Sequence, residues 1–81
     1  MPHPAVIGAM LCEQEARCTY CRQMLGRSFH IDHKTPISRG GGNEESNLQL
    51  LCGECNLEKR AKTHDEYVAY LQARELVGAM A

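Results

Sequence analysis

Residues His30 to Asn56 read HIDHKTPISRGGGNEESNLQLLCGECN, and the fold turns on this stretch. Over Arg27–His33, Phe29 and Ile31 alternate with His30 and Asp32, the period of a half-buried strand, so His30 and Asp32 share one face and His33 ends the run. Thr35 to Asn43 contains a proline and three successive glycines, a composition that favours an irregular loop. Asn47 to Cys52 reads as a turn entering a second short strand. Asn56 to Lys62 reads as the start of a helix, with Asn56 suited to its N-terminal boundary.

Working outward, Ala5–Ala16 is rich in helix formers, and Val6, Ile7, Met10 and Leu11 fall on one face of a short amphipathic helix. The two prolines in residues 1–4 predict a flexible tail before it. Thr63 with Glu66 forms a capping-box signature for a C-terminal helix over residues 63–80. Its apolar stripe is Tyr67, Val68, Tyr70, Leu71, Leu76 and Val77, and Gly78 marks its expected end. No repeat or linker divides the chain, so residues 1–81 are read as a single small α+β domain with a motif core at 18–62. A chain of 81 residues buries about 60% of the surface its unfolded form exposes, a marginal core that calls for a staple.

Five cysteines offer one. Cys18-Thr-Tyr-Cys21 and Cys52-Gly-Glu-Cys55 are two knuckles, each able to present two thiolates to one metal, and four sulfurs in a tetrahedron suit zinc. A redox pair needs no second pair, and the chain lacks the βαβ pattern expected around one. Cys12 is left over and reads as a small apolar residue of the first helix. A site closed by four thiolates has no open coordination position, so the expected zinc is structural. The odd cysteine number and the lack of a basic-then-apolar leader or a membrane-length apolar run predict a soluble, cytoplasmic protein without a membrane partner.

The net charge of −1 argues against a chain that holds nucleic acid by bulk charge alone. The distribution is uneven, however. Of the nine Lys and Arg residues only Arg74 lies beyond residue 63, so a local basic surface can form around the motif, diluted by Glu44, Glu45, Glu54 and Glu58.

From Cys18 to Lys62 the chain strongly resembles the HNH endonuclease family. Five features carry the resemblance in order: the first Cys-x-x-Cys, Asp32-His33, the Gly-rich loop, Asn47-Leu-Gln-Leu-Leu-Cys52, and Cys55-Asn-Leu-Glu-Lys59. The resemblance implies a ββα-metal (His-Me finger) motif stapled by structural zinc, with flanking N- and C-terminal helices. His33 would be the general base, since a neutral imidazole accepts a proton near physiological pH. Asp32 and Asn56 would hold one divalent ion. Asn56 departs from the histidine found at the third position of many members, and an all-oxygen donor set favours Mg²⁺ or Mn²⁺ over zinc there. Asn47 would bridge backbone groups of the loop and so hold His33 in its working orientation.

The implied reaction is metal-dependent hydrolysis of DNA phosphodiester bonds. His30 is a candidate contact to phosphate or support for the metal, Arg39 to the scissile phosphate, and Lys59, Arg60 and Lys62 to the backbone. His3 and His64, outside the motif, are read as solvated. Two other classes compete: a zinc-stapled module that binds nucleic acid without cutting, and a nuclease directed at RNA. The first has no use for Asp32, His33 and Asn56 in register. Against the second, the only aromatics for base stacking are Tyr20, Phe29, Tyr67 and Tyr70. So short a chain carries no obvious second domain for reading bases, so weak sequence preference, structure-selective nicking or a partner that supplies targeting is expected. Cutting both strands requires a homodimer or two successive nicks.

Overall fold

The computed structural model describes the backbone of residues 2–80 and the side chains of residues 2–75. In chain order it forms α1 (Pro4–Glu13), β1 (His30–His33), β2 (Leu48–Leu51), α2 (Gly53–Lys59) and α3 (His64–Met80), with single 3-10 turns at Ile37–Arg39 and Glu45–Asn47. The strands pair antiparallel, with His30 opposite Leu51 and His33 opposite Leu48. This is a small α+β architecture.

All four residues of β2 are buried, because the strand is covered on both faces. On one side Leu48 and Leu50 pack with Met10 of α1, joined by Val6, Leu11, Phe29 and Ile31. On the other, Leu51 packs with Cys18, Cys55 and Tyr67 of α3. Leu50 and Leu51 are wholly inaccessible, and burying a leucine side chain contributes about 1.5–3 kcal/mol. The helix face predicted for α1 is the one that buries Met10.

The free edge of β2 is closed by a side chain. The Gln14 amide accepts from the Leu50 N–H at 3.0 Å and donates to the Leu50 carbonyl at 3.0 Å, so it pairs with the strand as another peptide unit would. Such pairing blunts an edge that could otherwise recruit another chain.

Several boundaries differ from the sequence reading for local reasons. The first strand is His30–His33, not Arg27–His33: Leu51 ends β2, and residues before His30 have no partner left to pair with. Helix α1 starts at Pro4, inside the stretch read as tail. Proline at a first helical position loses no hydrogen bond, and the His3 ring accepts from the Ala5 N–H at 3.0 Å as the cap. Helix α2 starts at Gly53, three residues before Asn56, because the Cys52 sulfur accepts from the Cys55 N–H and takes the capping role. The capping box of α3 forms as read: the Glu66 N–H donates to Thr63 Oγ1 and the Thr63 N–H to Glu66 Oε1. The helix runs past Gly78, and the side chains of Leu76 and Val77 lie outside the described residues.

Candidate functional site

The two cysteine knuckles meet at the junction of β2 and α2. In the first, the Cys18 N–H donates to the Gln23 carbonyl at 2.9 Å and the Arg22 N–H to the Cys18 carbonyl at 3.1 Å, with Arg22 in the left-handed region (φ 61) to complete the turn. The second is the start of α2 itself. One ligand atom from each of Cys18, Cys21, Cys52 and Cys55 lies within 4.8 Å of the others, and the Cys21 and Cys52 sulfurs are 3.7 Å apart. Sulfurs placed roughly 2.3 Å from a tetrahedral zinc stand about 3.8 Å from one another, so the donor set fits that ion.

None of the five cysteines is in a disulfide. Burial and the neighbouring sulfurs push the Cys55 and Cys21 thiols up. Cys18 stands at about 7, because hydrogen bonds with the backbone of Cys52, Cys21 and Tyr20 and with the Cys21 side chain outweigh its burial, the largest single influence. Four thiolates this close cannot coexist without a cation between them.

Within the first knuckle, between Cys18 and Cys21, Tyr20 leads into a buried polar network. Asp32 lies opposite Gln49 in the ladder, and Asp32 Oδ2 accepts from Gln49 Nε2 at 2.9 Å and from Lys59 Nζ at 3.0 Å. Lys59 Nζ also donates to the His33 carbonyl at 2.9 Å. Gln49 Nε2 donates in addition to the Tyr20 hydroxyl at 2.7 Å, and that hydroxyl lies 2.8 Å from His64 Nδ1, with the two rings stacked. Burial raises the Tyr20 phenol to about 12, so it stays protonated at neutral pH and can donate to His64. Gln49 Oε1 is buried without a partner. Among the described residues Asp32 Oδ1 takes no hydrogen bond, which leaves one carboxylate oxygen open.

Asn56 precedes Lys59 by three residues and so shares its helix face, one turn nearer the start of α2. Among the described residues the Asn56 amide makes no side-chain hydrogen bond. His33 ends β1, and its neighbours confirm the alternation of a strand: it fronts a cleft of about 370 Å³ with Pro2, Ile31, Asn43 and Leu48. Asp32 and His33 therefore point to opposite faces of the hairpin, and a group touching both must sit off the strand's end. His33 Nε2 is 2.8 Å from Asn43 Oδ1.

Asn47 ties the intervening loop together. Its Oδ1 accepts from the Thr35 N–H at 3.0 Å, and its Nδ2 donates to the Thr35 carbonyl at 3.0 Å and to the Gly42 carbonyl at 2.8 Å. The loop closes so tightly that a Cβ on Gly41 would lie 1.8 Å from the Thr35 carbonyl oxygen. Gly40 turns the chain at φ 90, which glycine adopts without strain.

The five phosphate candidates separate. Lys59 is wholly buried and held by Asp32 and His33, so it cannot track a solvent-borne backbone; burial corrects that expectation. Arg39 is paired with Glu66, whose carboxyl it pulls below the ordinary range. Lys62 lies over the Tyr70 ring, 5.3 Å from its centre. His30 and Arg60 are exposed, and neither makes a side-chain hydrogen bond among the described residues. His3 is exposed, as read, and caps α1 from the surface, whereas His64, read as solvated, is half-buried and bonds Tyr20.

The family model described as HNH endonuclease matches residues 18–62, over half the chain and the span that holds every group above except Pro2, His3, His64, Glu66 and Tyr70. The chain belongs to the HNH endonuclease family. Searches of curated proteins and of solved structures found no match. Within the HNH span, the sequence reading missed Tyr20, Asn43, Gln49 and the structural duty of Lys59. Gln49 carried a signal, since a lone amide in an apolar strand must find a partner and the ladder sets it opposite Asp32. Asn43 carried none, being one more polar residue after a run of glycines.

Proposed function

We propose that this chain is a metal-dependent endonuclease that hydrolyses DNA phosphodiester bonds. The observation that carries the reading is the end of the β1–β2 hairpin, where Asp32 keeps one oxygen open and the next residue, His33, faces a cleft at the strand's end. In this reading β1, β2 and α2 form a ββα-metal unit. Asp32 Oδ1 and the Asn56 amide oxygen hold a divalent ion, and hard oxygen donors suit Mg²⁺ or Mn²⁺. When bound, such an ion supplies charge stabilisation to a non-bridging phosphate oxygen and to the leaving 3′ oxygen.

The chain's own groups do the rest. His33 takes a proton from a water molecule as its oxygen attacks phosphorus, the bond from phosphorus to the 3′ oxygen breaks, and the products carry 5′ phosphate and 3′ hydroxyl ends. Lys59 fixes the His33 carbonyl and shares Oδ2 of Asp32, so the carboxylate presents its other oxygen. His30 and Arg60, both exposed, are the phosphate contacts that suit the geometry, while Arg39 must first leave Glu66. The four cysteines hold zinc as a staple, and a reducing, cytoplasmic location suits thiols kept for a metal. Among the described residues no helix is long and apolar enough to cross a membrane.

Supercoiled plasmid incubated with the zinc-loaded protein tests the reading. Mg²⁺ or Mn²⁺ should produce nicked circles with 5′ phosphate ends, and EDTA in modest excess should stop the reaction. Absence of nicking with either ion would favour a binding module, and cleavage of RNA alone would move the substrate.

A further inference from the structure

Asn47 holds the loop, but among the described residues its side chain makes no hydrogen bond with His33. Its Nδ2 grips the Gly42 carbonyl at 2.8 Å, and the next residue along the chain, Asn43, places its amide oxygen 2.8 Å from His33 Nε2. The loop tether thus passes to the imidazole through Asn43. Building on the nuclease reading, we propose that Asn43 is the positioning residue of the general base: its Oδ1 accepts the Nε2 proton of His33 and thereby leaves Nδ1 as the nitrogen that takes the proton from water.

The chemistry of the two groups decides this. An amide oxygen only accepts, so the ring nitrogen facing it must carry hydrogen. A neutral imidazole has one N–H, and assigning it to Nε2 puts the lone pair on Nδ1. Among the described residues Nδ1 makes no hydrogen bond, so nothing competes for that lone pair. After Nδ1 gains a proton, Nε2 still donates to Asn43, so the contact survives the transfer and the ring need not turn. The backbone is pinned as well, since Lys59 Nζ holds the His33 carbonyl at 2.9 Å. Ring and backbone are then fixed from two elements. Were the amide to present Nδ2 instead, His33 would carry its hydrogen on Nδ1 and have no free base in the cleft.

The test combines a spectrum with kinetics on the zinc-loaded protein. A long-range proton–nitrogen correlation spectrum at a pH where His33 is neutral should show hydrogen on Nε2. Asn43 is exposed, so Asn43→Ala should fold with an unchanged midpoint. Loss of a fixed orientation should lower kcat by roughly 10²-fold. KM for DNA and the Mg²⁺ half-saturation should stay in place, since the substitution touches neither ligand nor phosphate contact. Asn43→Asp, which keeps an acceptor oxygen at the same place, should recover most of that loss.

A spectrum showing hydrogen on Nδ1 would overturn the proposal, as would an Asn43→Ala protein with wild-type kcat. So would an Asn43→Asp protein as slow as Asn43→Ala. A wild-type protein that has hydrogen on Nε2 yet cuts nothing would overturn the catalytic role and the nuclease reading together, while the contact stands.

Discussion

Lys59→Met removes the ammonium at the centre of the buried network while keeping most of the side chain's volume, so little of its effect comes from a cavity. Two contacts are lost, 3.0 Å to Asp32 and 2.9 Å to the His33 carbonyl. Breaking one partner of a buried pair costs about 3–5 kcal/mol, because the other charge is left without compensation. Asp32 keeps the Gln49 hydrogen bond and 11% of its side-chain exposure, which places the loss near the lower end, about 3 kcal/mol. In a domain of this length that lowers the thermal midpoint by roughly 12–24 °C. It is also a large share of the total, about 4–12 kcal/mol at typical stability per residue.

Urea and thermal unfolding of the zinc-loaded protein, followed by circular dichroism, measure the loss directly. Two controls separate charge from packing. The double variant Asp32→Asn with Lys59→Met has no stranded carboxylate and should be more stable than Lys59→Met alone. Mg²⁺ should stabilise Lys59→Met more than it stabilises the wild type, since an ion on Asp32 replaces the missing charge. A single variant that loses less than about 1 kcal/mol, or a double variant no better than the single, would refute the buried-pair account.

Further outcomes follow from the backbone at Arg60 and from the four thiols. Arg60 ends α2 at φ 51 and ψ −126, a conformation glycine adopts freely, so Arg60→Gly should gain about 1 kcal/mol in urea unfolding. If Arg60 contacts phosphate, the same variant should bind DNA with a salt dependence shallower by about one unit. Zinc should be needed for folding, and the Cys52→Ser protein should lose the ion and its helical signal together. The sign of the pH effect is fixed by the thiols: Cys21 and Cys55 are raised, so zinc must expel their protons. Its stabilisation is therefore present at higher pH and lost as pH falls, and release to a colorimetric chelator should quicken in acidic buffer.

Much of the site is legible in the sequence because its residues are local. Asp32, His33 and Asn56 stand in a short frame set by two cysteine pairs, and strand periodicity alone places Asp32 and His33 at the end of β1. The capping box at Thr63 is likewise a pattern within four residues. What escapes the sequence depends on distant partners. Lys59 looks like a surface charge, and only the approach of α2 to β1 buries it against Asp32. Gln14 looks like a helix-end residue, yet it pairs with Leu50, 36 positions away. The start of α2 moved because a sulfur capped it, a role that sequence rules assign first to Asn56-type side chains. His64 was hidden for the same reason, since its partner Tyr20 sits 44 residues earlier.

The most direct measurement is the single-turnover rate of strand cleavage by His33→Ala beside the wild type, with Mg²⁺, equal zinc content and matched circular dichroism. Loss of a general base costs about 10²- to 10⁴-fold, so the variant should fall by at least the lower figure while its DNA affinity holds. Cleavage that persists undiminished in the His33→Ala protein would contradict the account.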